Sequence, residues 1–283
     1  MLKDYRTMDS IKTIIQSLLN SVGDLTQPQQ KFLVTLFSTL LISYGRANFT
    51  NLGRYSQLSE RTYRRQDQRS FNFMKFNQQL IKRAIEPESP VILAVDCSFI
   101  PKSGKQTYGI DYFYNGSVSR AEKGLEVSAM AVVDVNHKTA YNLSVQQTPA
   151  SSSSLEKIES AQNTRIDCYL EQLKATFPYL PSSLRYVVSD GFYSNSSSGC
   201  SYAVLFCTDL KLNPYSIYLY YKARFQIEFI FRDSKQFTGL ADCQARDLTK
   251  LDFHFNSSLT ALNLAKLDAV EQHDSDSKLL KPL

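Results

Sequence analysis

The sequence holds no tryptophan, and its glycines and prolines number only 10 and 9 in 283 residues, too few for a fibrous or low-complexity chain. Histidine occurs three times, at His137, His254 and His273, scattered and away from any plausible nucleophile; a turn, the core and the tail are the expected places for them. The five cysteines, Cys97, Cys168, Cys200, Cys207 and Cys243, are odd in number and include no C-x-x-C pair. Neither a disulfide framework nor a zinc ribbon is suggested, and a reducing compartment is expected. No apolar run approaches the roughly 20 residues needed to span a bilayer, and the first residues lack the basic-then-apolar pattern of a signal peptide. The expectation is a cytoplasmic protein with no membrane partner. Two common catalytic signatures are missing as well. Gly104-Lys105 lacks the flanking residues of a phosphate-binding loop, and no G-x-S-x-G nucleophile elbow occurs.

What is present is an ordinary globular composition, 43% hydrophobic and 21% charged, with a mild formal net charge of +5. The charge is unevenly placed. Between Arg54 and Arg83 there are eight basic residues against Glu60 and Asp67, a local +6 that exceeds the whole net charge. Residues 9–85 read as helical, with Ile11, Ile14, Ile15, Leu18 and Leu19 at 3.6-residue spacing and Gln27-Pro28 as punctuation. A short segment at Asn48–Tyr55 and a second beginning after Ser59, a capping residue, give a helix-turn-helix outline. A basic helix face is often simply solvated. Here Arg61, Arg64 and Arg65, interleaved with Tyr63, sit at a helix entry, where phosphate contacts need cations. Residues 1–88 are therefore expected to be a helical DNA-binding region.

From Pro90 the period changes. Val91–Val95 is a continuous apolar run ending in Asp96, the pattern of a strand buried on both faces. Residues 125–135 and 140–145, about a turn at Asn136–Lys138, predict a hairpin. A helix follows over 155–177, a strand over 184–190 that again ends in an acid, Asp190, and a further strand over 202–207. Helices are expected at 213–237 and 249–271. The order matches a ribonuclease H-like fold lacking one crossover helix: a mixed sheet flanked by helices, over residues 89–271, with 272–283 as a tail.

Open sheets place sites at the carboxyl ends of strands, which singles out Asp96 and Asp190. On the 213–237 helix, Tyr221, Arg224, Glu228 and Lys235 fall within a sector of roughly 60° at about 100° per residue. The other positions carry Phe225, Ile227, Phe229, Ile230 and Phe231, so this helix is expected to be largely buried. An internal Arg224–Glu228 ion pair with Lys235 outside it would explain the stripe structurally. Two strand-end acids with a third on the following helix favour oxygen ligation of Mg²⁺ or Mn²⁺ over zinc.

Tyr221-x2-Arg224-x3-Glu228-x6-Lys235 resembles in full the YREK signature of DDE transposases of bacterial insertion sequences, the family numbered four among them and its relatives. Ala94-Val95-Asp96 and Val188-Ser189-Asp190-Gly191-Phe192-Tyr193 resemble the family's two other acid motifs, and the likeness runs over about residues 30–270. The resemblance implies a catalytic triad of Asp96, Asp190 and Glu228 holding two Mg²⁺ or Mn²⁺ ions. It implies that Tyr221, Arg224 and Lys235 hold the backbone of a transposon end, with Lys102 and Lys105 as further contacts. It also implies duplex DNA as partner, DNA cleavage and strand transfer as activity, a homodimer, and a bacterial, nucleoid-associated location. Without tryptophan, any stacking on a displaced base falls to tyrosine or phenylalanine.

One departure stands out. Only 38 residues separate Asp190 from Glu228, leaving about ten, Gly191–Cys200, for a connection that needs a dozen or more between parallel strands. An internally shortened member is expected, with a truncated tail. A catalytically inactive DNA-binding relic, or a ribonuclease H-like nuclease with another substrate, are the alternatives.

Overall fold

The computed structural model describes residues 5–23, 25–148, 165–190, 205 and 207–279. Five helices come first: α1 Tyr5–Val22, α2 Gln27–Ile42, α3 Phe49–Tyr55, α4 Glu60–Gln66 and α5 Phe73–Ala84. Their starts follow side-chain chemistry. Pro28 occupies the first turn of α2, where its missing N–H costs nothing. The Asn48 side chain accepts from Asn51 N at the head of α3, and the Ser59 hydroxyl accepts from Thr62 N at the head of α4, as expected. The apolar stripe of α1 is buried from Ile11 to Val22.

The sheet comprises β1 Val91–Pro101, β2 Asp111–Asn115, β3 Arg120–Asp134, β4 Thr139–Gln147 and β5 Val187–Ser189. β1 pairs antiparallel with β3 and parallel with β5, while β3 pairs antiparallel with β2 and β4. Alternation along β1 divides two apolar layers. Val91, Leu93 and Val95 join Met130, Val132 and Leu143 against the α1, α2 and α5 side chains. Ile92 and Ala94 join Ala129, Ala131 and Val133 against Ile227, Ile230 and Phe231. The N-terminal helices thus share a core with one face of the sheet.

The chain closes with α6 Arg165–Thr176, α7 Pro214–Arg224, α8 Gln226–Asp233, a π-helical turn at Ser234–Thr238, and α9 Leu248–Leu279. α9 runs along β4 and contributes to both layers, Leu264 and Leu267 to one and Leu251, Phe255 and Leu259 to the other. Its polar side chains meet the backbone of β4. Asn263 Oδ1 accepts from Asn142 N at 2.9 Å and its Nδ2 donates to Asn142 O at 2.7 Å. Lys266 Nζ donates to Ala140 O at 2.8 Å, and Asn256 Nδ2 to Val145 O at 3.3 Å. The mixed sheet flanked by helices, with an antiparallel hairpin and a parallel strand on opposite sides of β1, is the ribonuclease H-like fold.

Several expectations are corrected. β1 does not end at Asp96 but continues to Pro101, because β3 supplies an antiparallel partner as far as Gly124. β2 was not anticipated, since its Tyr112 and Tyr114 are exposed and only Phe113 is buried. The strand at 184–190 is shorter, Val187–Ser189. The single helix over 213–237 divides at Phe225, and it is less buried than its phenylalanines suggest: Phe225 and Phe229 face solvent while Ile227, Ile230 and Phe231 carry the packing. α9 continues through the expected tail to Leu279. The expected connection at 191–200, the first part of the helix at 155–177 and most of the strand at 202–207 lie outside the described residues.

Candidate active site

Strand register brings the first two acids together. The parallel pairing sets Leu93 beside Val187, Ala94 beside Val188 and Val95 beside Ser189, so the next residues are Asp96, still within β1, and Asp190, just past the end of β5. Asp96 shares the parity of Ile92 and Ala94, which places it on the sheet face covered by α8. The third acid arrives through the break after α7. Phe225 N donates to Lys222 O at 3.3 Å and Glu228 N to Phe225 O at 3.1 Å, i to i+3 bonds that tighten the backbone there. Ile227 and Ile230, both fully buried, then fix α8 against the sheet with Glu228 at its first turn.

At the meeting point lies a cation of the protein itself. Arg224 Nη1 is 3.4 Å from Asp96 Oδ2, and Nη2 is 3.5 Å from Glu228 Oε1 and 3.8 Å from Asp190 Oδ2. The Arg224 side chain is 2% exposed, against 19% for Asp96, 41% for Glu228 and 47% for Asp190. All three separations exceed the about 2.8 Å of a strong charge-assisted bond, so one guanidinium is shared loosely among three carboxylates. Its Nε makes no hydrogen bond among the described residues, and its guanidinium carbon stands 5.5 Å from the ring centre of Tyr221 and 5.7 Å from that of Phe225.

Among the described residues, one guanidinium pairs with these three acids. Burial pushes the Asp96 carboxyl up to about 6; Cys97 N, which donates to Asp96 Oδ1 at 2.8 Å, and Arg224 oppose the rise, while Glu228 and Asp190 add to it. Burial also raises Glu228, again with Arg224 opposing. Three carboxylates turned toward one cation, with no sulfur or imidazole among them, form a donor set suited to Mg²⁺ or Mn²⁺. Spread around the guanidinium, they are not close enough to share an ion as they stand; among the described residues no three His, Cys, Asp or Glu side chains are.

The remaining candidates divide. Tyr221 packs its ring beneath Arg224. Lys235 lies not on a continuing helix but in the π-helical turn, and its Nζ donates to Ser98 Oγ and Phe99 O, each at 2.8 Å. It ties that turn to the far end of β1, and burial lowers its pKa. Ser98 and Phe99 were missed as partners because β1 was expected to stop at Asp96; its alternation, carried two residues further, points Ser98 to the same face. Lys102 Nζ donates to Cys243 O, so this lysine holds a loop, whereas Lys105 is exposed. Arg61, Arg64 and Arg65 are exposed on α4, well apart in sequence from the acids, with Arg64 bonded through Nε to Glu60 Oε1 at 2.8 Å. His137 does occupy the turn after β3, beside Asp134, and His254 Nε2 donates to Gly239 O at 2.9 Å.

Residues 74–198 match the family model described as DDE superfamily endonuclease. This span, a little under half of the chain, contains Asp96 and Asp190 and stops short of Glu228. No curated protein matches the chain. Together with the ribonuclease H-like sheet, the match supports a DDE-type endonuclease or transposase, a class that acts on DNA and generally uses divalent metals. No helix among the described residues is long and apolar enough to cross a membrane.

Proposed function

We propose that this protein is a transposase that cleaves and joins DNA at the ends of an insertion sequence, with Asp96, Asp190 and Glu228 as its catalytic acids. The observation that carries this reading is the turning of these acids, from two strands and a helix, toward one common positive group. Two Mg²⁺ or Mn²⁺ ions held by them would activate the attacking oxygen and offset charge on the leaving oxygen of an in-line phosphoryl displacement. The chain's own contribution is positional. Register between β1 and β5 fixes the first two acids, and the packing of Ile227 and Ile230 fixes the third. Lys235 steadies the end of β1 beyond Asp96.

In this reading Tyr221, Arg224 and Lys235 flank the phosphate to be cut, Lys102 and Lys105 line its approach, and Arg61, Arg64 and Arg65 hold the duplex through its backbone. Residues 1–88 serve DNA binding and 89–271 catalysis, in a homodimer that pairs two ends near the nucleoid. The short interval between Asp190 and Glu228 favours one second reading, a shortened chain that binds DNA without cutting it. A strand-nicking assay on insertion-sequence end DNA with Mg²⁺ or Mn²⁺ separates the two. Nicking by the wild-type protein and none by Asp96→Ala is the expected result; equal signals from both, or binding with no nicking at all, would sink the catalytic assignment.

A further inference from the structure

We propose that Arg224 is the resident counter-cation of the three acids, and that a divalent cation enters this site only as the guanidinium withdraws. The inference rests on the reading of Asp96, Asp190 and Glu228 as a metal site and adds a rule for its loading.

Position is the first ground. Arg224 is the buried member of the cluster, 2% exposed, while the acids are the more open ones, so the cation forms the inner wall and the carboxylates face outward. Three neighbouring carboxylates repel one another, and a guanidinium within 3.8 Å of each offsets that repulsion. The dependence is mutual. A guanidinium this buried without charged partners would be strongly destabilising, so the acids in turn hold Arg224 there.

Looseness is the second ground. A bidentate fork on one carboxylate would lock Arg224 in place. Instead its contacts run from 3.4 to 3.8 Å across three partners, and Nε has none. The guanidinium already rests against two aromatic rings. The rings of Tyr221 and Phe225 lie 5.5 and 5.7 Å from the guanidinium carbon, and Phe225 is half exposed, so an outward swing keeps the cation over an aromatic face. Arg224 is also the last residue of α7, at the break where the backbone changes its bonding. A divalent ion and a guanidinium that both need the same three carboxylates must compete. By linkage, whatever draws Arg224 outward raises the affinity for the ion.

The test is Mn²⁺ binding to the DNA-free protein, read from the electron paramagnetic resonance of free Mn²⁺, for wild type, Arg224→Lys and Arg224→Met. The expected result is at least about tenfold tighter binding in Arg224→Met, equivalent to about 1.4 kcal/mol, with Arg224→Lys between. In EDTA, Arg224→Met should melt below wild type and recover on adding Mn²⁺, a response that a merely structural role would not give. Equal, measurable affinity in all three proteins overturns the proposal and leaves the metal site standing. No binding in any of them, or binding unchanged by Asp96→Ala with Glu228→Ala, overturns the metal site and the proposal together. Should Arg224→Met fail to fold with or without Mn²⁺, wild type alone decides. Reaction of Arg224 with phenylglyoxal, followed by peptide mass spectrometry, should rise with Mn²⁺, and an unchanged rate counts against the proposal.

Discussion

The charges of α4 and those around Arg224 obey different physics. Arg61, Arg64 and Arg65 stand in solvent, each free to be screened by salt, and Arg64 leans on Glu60 one turn away. Asp96, Asp190 and Glu228 crowd a guanidinium that is nearly inaccessible, where one group moved or neutralised alters the energy of the rest. Exposed charges add up. Charges gathered about a buried guanidinium act as a unit, and the same number of charged residues has different consequences in the two places.

The largest test of that contrast is at the acids. Glu228→Gln keeps shape and removes one charge; if the centre works as a unit, nicking should fall about a thousandfold, some 4 kcal/mol of activation free energy, in a gel-based cleavage assay. A loss of only severalfold would mean that the three acids contribute separately. A second test uses the one buried acid beside the basic helix. Asp67 is 1% exposed, neither carboxylate oxygen has a hydrogen-bond partner among the described residues, and burial pushes its pKa up to about 6, with Lys250 and Arg64 opposing and Asp247 adding to the rise. A raised carboxyl pKa favours the protonated form in the fold, so stability is full below the unfolded value and is lost as pH rises through about 6. Asp67→Asn should therefore raise the stability measured by urea unfolding at pH 7.5 by the order of 2 kcal/mol, and change it little at pH 4. An equal gain at both pH values would assign the effect to packing.

Replacing Arg61, Arg64 and Arg65 together by alanine should weaken duplex binding about tenfold or more near 0.15 M salt and lower the slope of log affinity against log salt by about 1 per arginine. Filter binding across a salt series measures both, and an unchanged slope would remove α4 from the DNA surface. The smallest effect is expected from the exposed pair on that helix. Arg64→Ala should cost about 0.3 to 0.5 kcal/mol in urea unfolding, since an i, i+4 pair in water contributes little. A loss above 2 kcal/mol would mean that its contact over the Phe49 ring, at 6.0 Å, matters more than its charge.

Legibility in the sequence followed the same division. The α4 arginines, the Ser59 cap and the hairpin about His137 could all be read because local spacing determines them. The three acids were legible as candidates through strand-end position and helical stripe. Their arrangement was not, because the strand-end argument missed that β1 runs on to Pro101, and a stripe drawn on one continuous helix cannot anticipate the break at Phe225. Lys235 shows the cost. Helical periodicity puts it beside Arg224 and Glu228, whereas the π-helical turn sends it to Ser98 and Phe99. Exposed Phe225 and Phe229 were likewise misread as core, since composition cannot say which aromatic of a run faces the sheet.

The side chains that α9 lays on β4 have an implication for self-association. A strand bonded to one neighbour ordinarily leaves a row of N–H and C=O groups that a second molecule can join, which is a route to aggregation and to intermolecular sheets. Asn263 occupies the N–H and the C=O of Asn142, Lys266 takes Ala140 O and Asn256 takes Val145 O, so this flank of the sheet is already engaged along its middle. Two copies of the chain cannot assemble by zipping β4 to β4 unless α9 first peels away.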